Sequence, residues 1–182
     1  MKKPLATALT LLLGVTAISA HAADGMIKIT GSIISSTCNV GGAKVDTGTP
    51  AGTLSTINVE LDPVSVSALD AQGKSAGGKP FKISLTGCKA VKKAQMKFET
   101  FGNVDTTTGL LKNSGSAKNV QVGLTTDDDK EINLTKGEGS QVVDLTEDGT
   151  AEINLRAYYI AVGGAAGPGS VDTTALFSMK YE

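Results

Sequence analysis

Along residues 26–38 the apolar side chains Ile27, Ile29 and Ile33 alternate with Lys28, Thr30 and Ser32, and Gly31 falls on the apolar side. A spacing of two is that of a half-buried extended strand. The pattern recurs down the chain. Residues 54–61 alternate imperfectly through Leu54, Ile57, Val59 and Leu61 before Asp62 and Pro63 stop them, and residues 64–79 read as a surface connection with one short helical turn. Phe81, Ile83 and Leu85 share a face ahead of Cys88, Met96 and Phe98 share one within 95–101, and Val120, Val122 and Leu124 share one within 119–125. A shorter strand is expected near 141–145. Over 151–162 the set is Ile153, Leu155, Ala157, Tyr159 and Ala161, and over 175–182 it is Ala175, Phe177, Met179 and Tyr181. Turn-forming clusters separate these runs: Gly41-Gly42, Gly77-Gly78, Gly137-Glu138-Gly139 and Asp148-Gly149. Short, regularly punctuated strands with no long helical period predict an all-β sandwich or barrel.

The first residues follow another rule. Met1-Lys2-Lys3 is basic, residues 5–18 are mostly apolar, and Ala20-His21-Ala22 has the small-residue form of a cleavage site. This is the pattern of a secretory signal peptide over residues 1–22. The apolar run is short of the roughly 20 residues that a spanning helix needs. Cleavage after Ala22 would make Ala23 the first residue of a mature chain that has lost its one histidine, His21. An N-terminal extension over 23–37 and a domain over 38–182 would remain, and no repeat divides them.

Charge excludes some partners. With 17 basic and 18 acidic residues, and no basic run with interleaved aromatics, nothing favours nucleic acid or an anionic membrane surface. Cys38 and Cys88 are the two cysteines, and in an exported chain they are expected to form one disulfide. No cofactor is expected. The glycine-rich stretch 163–169 precedes a strand rather than a helix, so it reads as a connection rather than a phosphate cradle. Asp127-Asp128-Asp129-Lys130 lacks the spaced ligands and closing glutamate of a calcium loop and reads as a hairpin turn.

Taken in order, several segments resemble the pilin subunits of the chaperone-usher pathway, the fimbrial proteins similar to those of type 1 and P pili. They are the first strand from Gly31 to Cys38, the Phe-x-Ile-x-Leu-x-x-Cys run from Phe81 to Cys88, Ala157 and Tyr159 ahead of the glycine-rich loop, and the closing Phe177, Met179 and Tyr181. The resemblance implies an immunoglobulin-like sandwich lacking its final strand, completed by a donor strand from a neighbouring subunit. It implies that Ile27, Ile29, Gly31 and Ile33 are the donor residues, with Gly31 where the receiving groove is shallow. Leu155, Tyr159, Phe177, Met179 and Tyr181 would form the acceptor groove and chaperone contact. Implied partners are other pilin subunits, a periplasmic chaperone and an outer-membrane usher, on a route through the periplasm to a surface fimbrium that supports adhesion. A shaft subunit or minor adaptor fits better than a two-domain tip adhesin.

A reading from a different class is a secreted, self-complete sandwich that binds carbohydrate. It would need exposed aromatic side chains; tryptophan is absent and Tyr158 is the residual candidate. Enzymatic chemistry is not expected, because a chain without histidine has no Ser-His or Cys-His pair and no paired carboxylates stand out.

Overall fold

Each alternating run buries its apolar face by pairing edge to edge and then packing face to face, and the result is two antiparallel sheets. The computed structural model describes residues 38–42, 56–88 and 91–182. The expected signal segment over 1–22, the expected extension over 23–37 and the four expected donor residues in it lie outside them. The described strands are β1 (Asn39–Gly42), β2 (Ser75–Thr86), β3 (Lys93–Phe98), β4 (Leu111–Lys112), β5 (Val120–Thr126), β6 (Val143–Asp144), β7 (Ala151–Ala161) and β8 (Phe177–Tyr181). One sheet runs β1-β2-β7-β5-β4 and the other β6-β3-β8.

The core lies between them. Ile83 and Leu85 of β2, Val122 and Leu124 of β5, and Ile153, Leu155 and Ala157 of β7 meet Ala94, Met96 and Phe98 of β3. Ile83, Leu85, Met96, Leu134, Ile153 and Leu155 are almost wholly shielded from water. Each contributes about 1.5–3 kcal/mol of hydrophobic burial. Leu134 sits on a single 3-10 turn, Leu134–Lys136, whose Asn133 side chain accepts from the Thr135 amide and whose C-cap Gly137 has φ 60°. That left-handed conformation is one glycine adopts without penalty.

Three local expectations are corrected. Gly77-Gly78 is not a turn between elements but a bulge inside β2: Ala76 faces Tyr159 and Lys79 faces Ala157, so β2 carries one residue more than β7 over that interval. Gly77 has φ 69°, and a Cβ there would lie 2.8 Å from Val64 Cγ1 and 2.9 Å from the Tyr159 ring. Bulge and close packing both require glycine. The strand therefore starts at Ser75, inside what reads as a surface connection; the helical turn expected there is the 3-10 turn Val66–Leu69. Gly41-Gly42 likewise ends β1, with Gly42 facing Ile83, rather than forming a turn.

The third correction concerns residues 56–61. Ile57, Val59 and Leu61 are partly buried against the core while Thr56, Asn58 and Glu60 are exposed, as in a strand. Yet no ladder includes them, and among the described residues their backbone makes no backbone hydrogen bond. They have the side-chain pattern of a strand with no ladder partner among the described residues.

Candidate functional site

The last strand, β8, is laddered on one side among the described residues. On one side β8 is fully engaged with β3: Phe177 pairs with Phe98, Met179 with Met96 and Tyr181 with Ala94. The pairing extends past both ends, with the Glu99 amide donating to Leu176 O at 2.9 Å and the Lys92 amide to Glu182 O at 2.7 Å. The far edge of β3 is also closed. The Met96 amide donates to Ser140 Oγ at 3.0 Å, the Ser140 amide donates to Met96 O at 2.9 Å, and β6 pairs beyond. A Cβ on Gly139 would fall 1.8 Å from Met96 O, so only glycine lets this cover approach.

The other edge of β8 has no ladder partner among the described residues. Phe177, Met179 and Tyr181 pack against the core but stay half-buried, whereas Ser178 and Lys180 face solvent. Burial pushes the Tyr181 phenol up from its ordinary value. An unpaired strand edge above half-covered apolar side chains is a template for another strand.

Leu155 and Tyr159 belong to β7 in the opposite sheet. Leu155 is wholly buried in the core that also contacts Phe177, Met179 and Tyr181, so it forms floor rather than rim. Tyr159 bridges the main core and a smaller cluster that contains Leu69, Val120 and Ala161. Its phenol is pushed up first by burial and then by the Asp62 carboxylate. Asp62 is held in turn by Lys79, whose Nζ donates to both carboxylate oxygens at 2.9 Å. Residues 57–61 therefore run into an anchor on β2 and β7. Ile57, Val59 and Leu61 alternate outside any ladder among the described residues and pack on the same core as Phe177, Met179 and Tyr181, which makes them candidate site residues that the groove set above lacks, although their spacing was visible as a strand.

The disulfide is present: Cys38 and Cys88 are bonded, with Cα atoms 4.4 Å apart. It closes the end of the β1–β2 ladder, where Asn39 faces Thr86. Tyr158 does not offer a carbohydrate platform. It is 9% exposed, because its ring lies over Gly123, where a Cβ would come within 2.3 Å of Cζ. Burial and, after it, the Glu131 carboxylate raise its phenol. Asp127 and Asp128 form the turn after β5, with the Thr126 amide donating to Lys130 O at 3.0 Å, and the loop at 163–169 leads on towards β8 with no intervening helix.

These features define an immunoglobulin-like β-sandwich in which the outer edge of β8 has no ladder partner among the described residues. A chain of a chaperone-usher pilus has the same fold, with a TM-score of 0.57 at 16% identity over 88% of this chain and 96% of that one. The fimbrial protein family profile matches residues 27–182, and the chain belongs to that family. It is 34% identical to the major fimbrial subunit SMF-1 of Stenotrophomonas maltophilia, over 93% of this chain and 99% of that protein. It is also 34% identical to the F17 fimbrial protein of Escherichia coli, over 94% and 97%. The chain is thus a structural fimbrial subunit and not an enzyme, and its place is in a surface fibre with other pilins.

Proposed function

We propose that the chain polymerises by donor-strand exchange: residues 26–33 of one copy complete the open edge of β8 in the next. The observation that carries this reading is the half-buried row Phe177, Met179 and Tyr181 beside a backbone edge with no ladder partner among the described residues. Ala175, also partly buried on the core, extends the row to four. The donor offers four positions at the same spacing: Ile27, Ile29, Gly31 and Ile33. Every ladder among the described residues is antiparallel, and antiparallel pairs are the more stable per residue. An antiparallel donor would set Ile27 beside Tyr181, Ile29 beside Met179, Gly31 beside Phe177 and Ile33 beside Ala175. Residues 57–61 would flank it on the other side. Backbone pairing supplies the affinity and alternate side chains supply the register.

The same groove is the surface a periplasmic chaperone would cover before an outer-membrane usher exchanges it for a neighbour. A signal peptide over residues 1–22 would bring the chain to that compartment. The family match begins at Ile27, the first donor residue, which supports placing the functional chain after the signal.

The test is a synthetic peptide of residues 23–37 presented to the purified chain. Uptake is expected for the parent peptide and about 5- to 150-fold weaker uptake for Gly31→Leu, since overpacking costs about 1–3 kcal/mol. Equal uptake of both peptides would remove Gly31 from the contact, and a Gly31→Leu subunit that still polymerises normally would show the first strand packing within its own domain.

A further inference from the structure

Phe101 is 60% exposed, the most exposed large apolar side chain among the described residues. It follows β3 at the Phe98 end, where the Glu99 amide bonds to Leu176 and Leu176 Cδ1 lies within 4.0 Å of where a Gly102 Cβ would project. Phe101 therefore sits by the start of β8. At the opposite end of β3, five residues and about 17 Å away by strand rise, lies an open cavity of about 700 Å³ lined by Cys88, Val91, Leu145 and Gly149 among others. Cys88 is bonded to Cys38, so this cavity stands where the N-terminal extension joins the domain.

We propose that Phe101 of one copy docks against the cavity beside the Cys38–Cys88 disulfide of the copy that donates its strand. The inference rests on the donor-strand reading above and adds a second, body-to-body joint to it. An antiparallel donor brings Ile33 to the Ala175 end of the groove, the end at which Phe101 projects. From Ile33 to Cys38 there are five residue steps, which span at most about 17 Å. The donor's disulfide end is thus tethered close to the acceptor's Phe101. One surface lies at each end of the domain, so the contact is heterologous and repeats from copy to copy along a fibre rather than closing a dimer. An aromatic side chain seated in a partly apolar hollow is the kind of contact that dominates an interface.

The experiment is photo-crosslinking of fibres assembled from full chains carrying p-benzoylphenylalanine at position 101, alongside a Phe101→Ser chain. Crosslinks are expected to residues 91–93 or 144–149 of a neighbouring copy. Phe101→Ser is expected to take up the peptide of residues 23–37 as the parent does, while its fibres shed subunits about tenfold faster in denaturant. Crosslinks confined to other surfaces, or unchanged fibre dissociation, would overturn the joint and leave strand donation standing. A parent chain that forms no fibres and takes up no peptide would overturn the donor-strand reading, and the joint with it.

Discussion

Replacing Cys38 and Cys88 together by alanine tests how the root of the N-terminal extension is held. The bond links positions 50 residues apart. In the chain-entropy account, closing a loop of that size removes about 4 kcal/mol of freedom from the unfolded chain. Little else replaces it. β1 has four residues and, among the described residues, lies at the edge of its sheet and pairs only with β2. Alanine is chosen because Cys88 is 4% exposed, and a serine hydroxyl there would add a desolvation cost unrelated to the crosslink. With a urea dependence of about 1–3 kcal/mol per molar, the unfolding midpoint is expected to fall by about 2 M. Since domains of this kind retain about 5–15 kcal/mol in all, a large share of the stability is lost. Urea titrations of the parent and the double variant, each with and without saturating peptide of residues 23–37, separate the domain from the groove. The stabilisation by peptide is expected to survive, because β8 and residues 57–61 do not contact the bond through any ladder. A loss below about 1 kcal/mol would refute the loop-closure argument, and a loss of peptide binding in folded protein would refute the separation of groove from root.

Two further outcomes follow from side-chain placement. Met179→Asp, which puts a carboxylate on the core-facing side of β8 opposite Met96, is expected to abolish peptide uptake, whereas Ser178→Asp on the solvent face is expected to leave it within about twofold; fluorescence anisotropy of labelled peptide checks both. Asp105 accepts from the Thr107 amide at 2.9 Å and from Gln121 Nε2 at 2.8 Å, and these bonds hold its carboxyl below the ordinary aspartate range. Its contribution is therefore complete above the unfolded value of about 3.9 and is lost as pH falls through the depressed folded value, so Asp105→Asn is expected to flatten the fall of the melting temperature with pH below about pH 4.

Much of this was legible in the order of residues, and the misses have physical causes. Period-two patterning located the cores of β2, β3, β7 and β8 because each buries one face more than the other, which is the condition for the pattern to be visible; on β5 it marked Val120, Val122 and Leu124 although Gly123 and Thr125 between them are buried as well. Gly77-Gly78 misled because glycine marks a bulge as readily as a turn, and only the Val64 and Tyr159 contacts separate the two. β4 and the 3-10 turn at Leu134 escaped because two or three residues carry no period. Tyr158 broke the alternation from outside: Gly123, opposite it on β5, leaves room for the ring to lie flat on the outer face. Phe177, Met179 and Tyr181 were readable from spacing as one face of a strand, and as groove residues only through the family resemblance. That residues 57–61 alternate outside any ladder among the described residues was not legible, since a strand and an unladdered strand share one sequence pattern.

Hydrogen exchange resolved to individual amides, on the purified chain with and without the peptide of residues 23–37, tests strand acceptance most directly. Backbone amides of β8 that point away from β3, and those of residues 57–61, are expected to exchange freely alone and to gain at least hundredfold protection with peptide bound, since amides paired in a ladder open only with local unfolding. The amides of β7, laddered on both sides by β2 and β5, are expected to change far less. Protection that leaves β8 unchanged, or that appears first along β1, β4 or β6, would contradict the account.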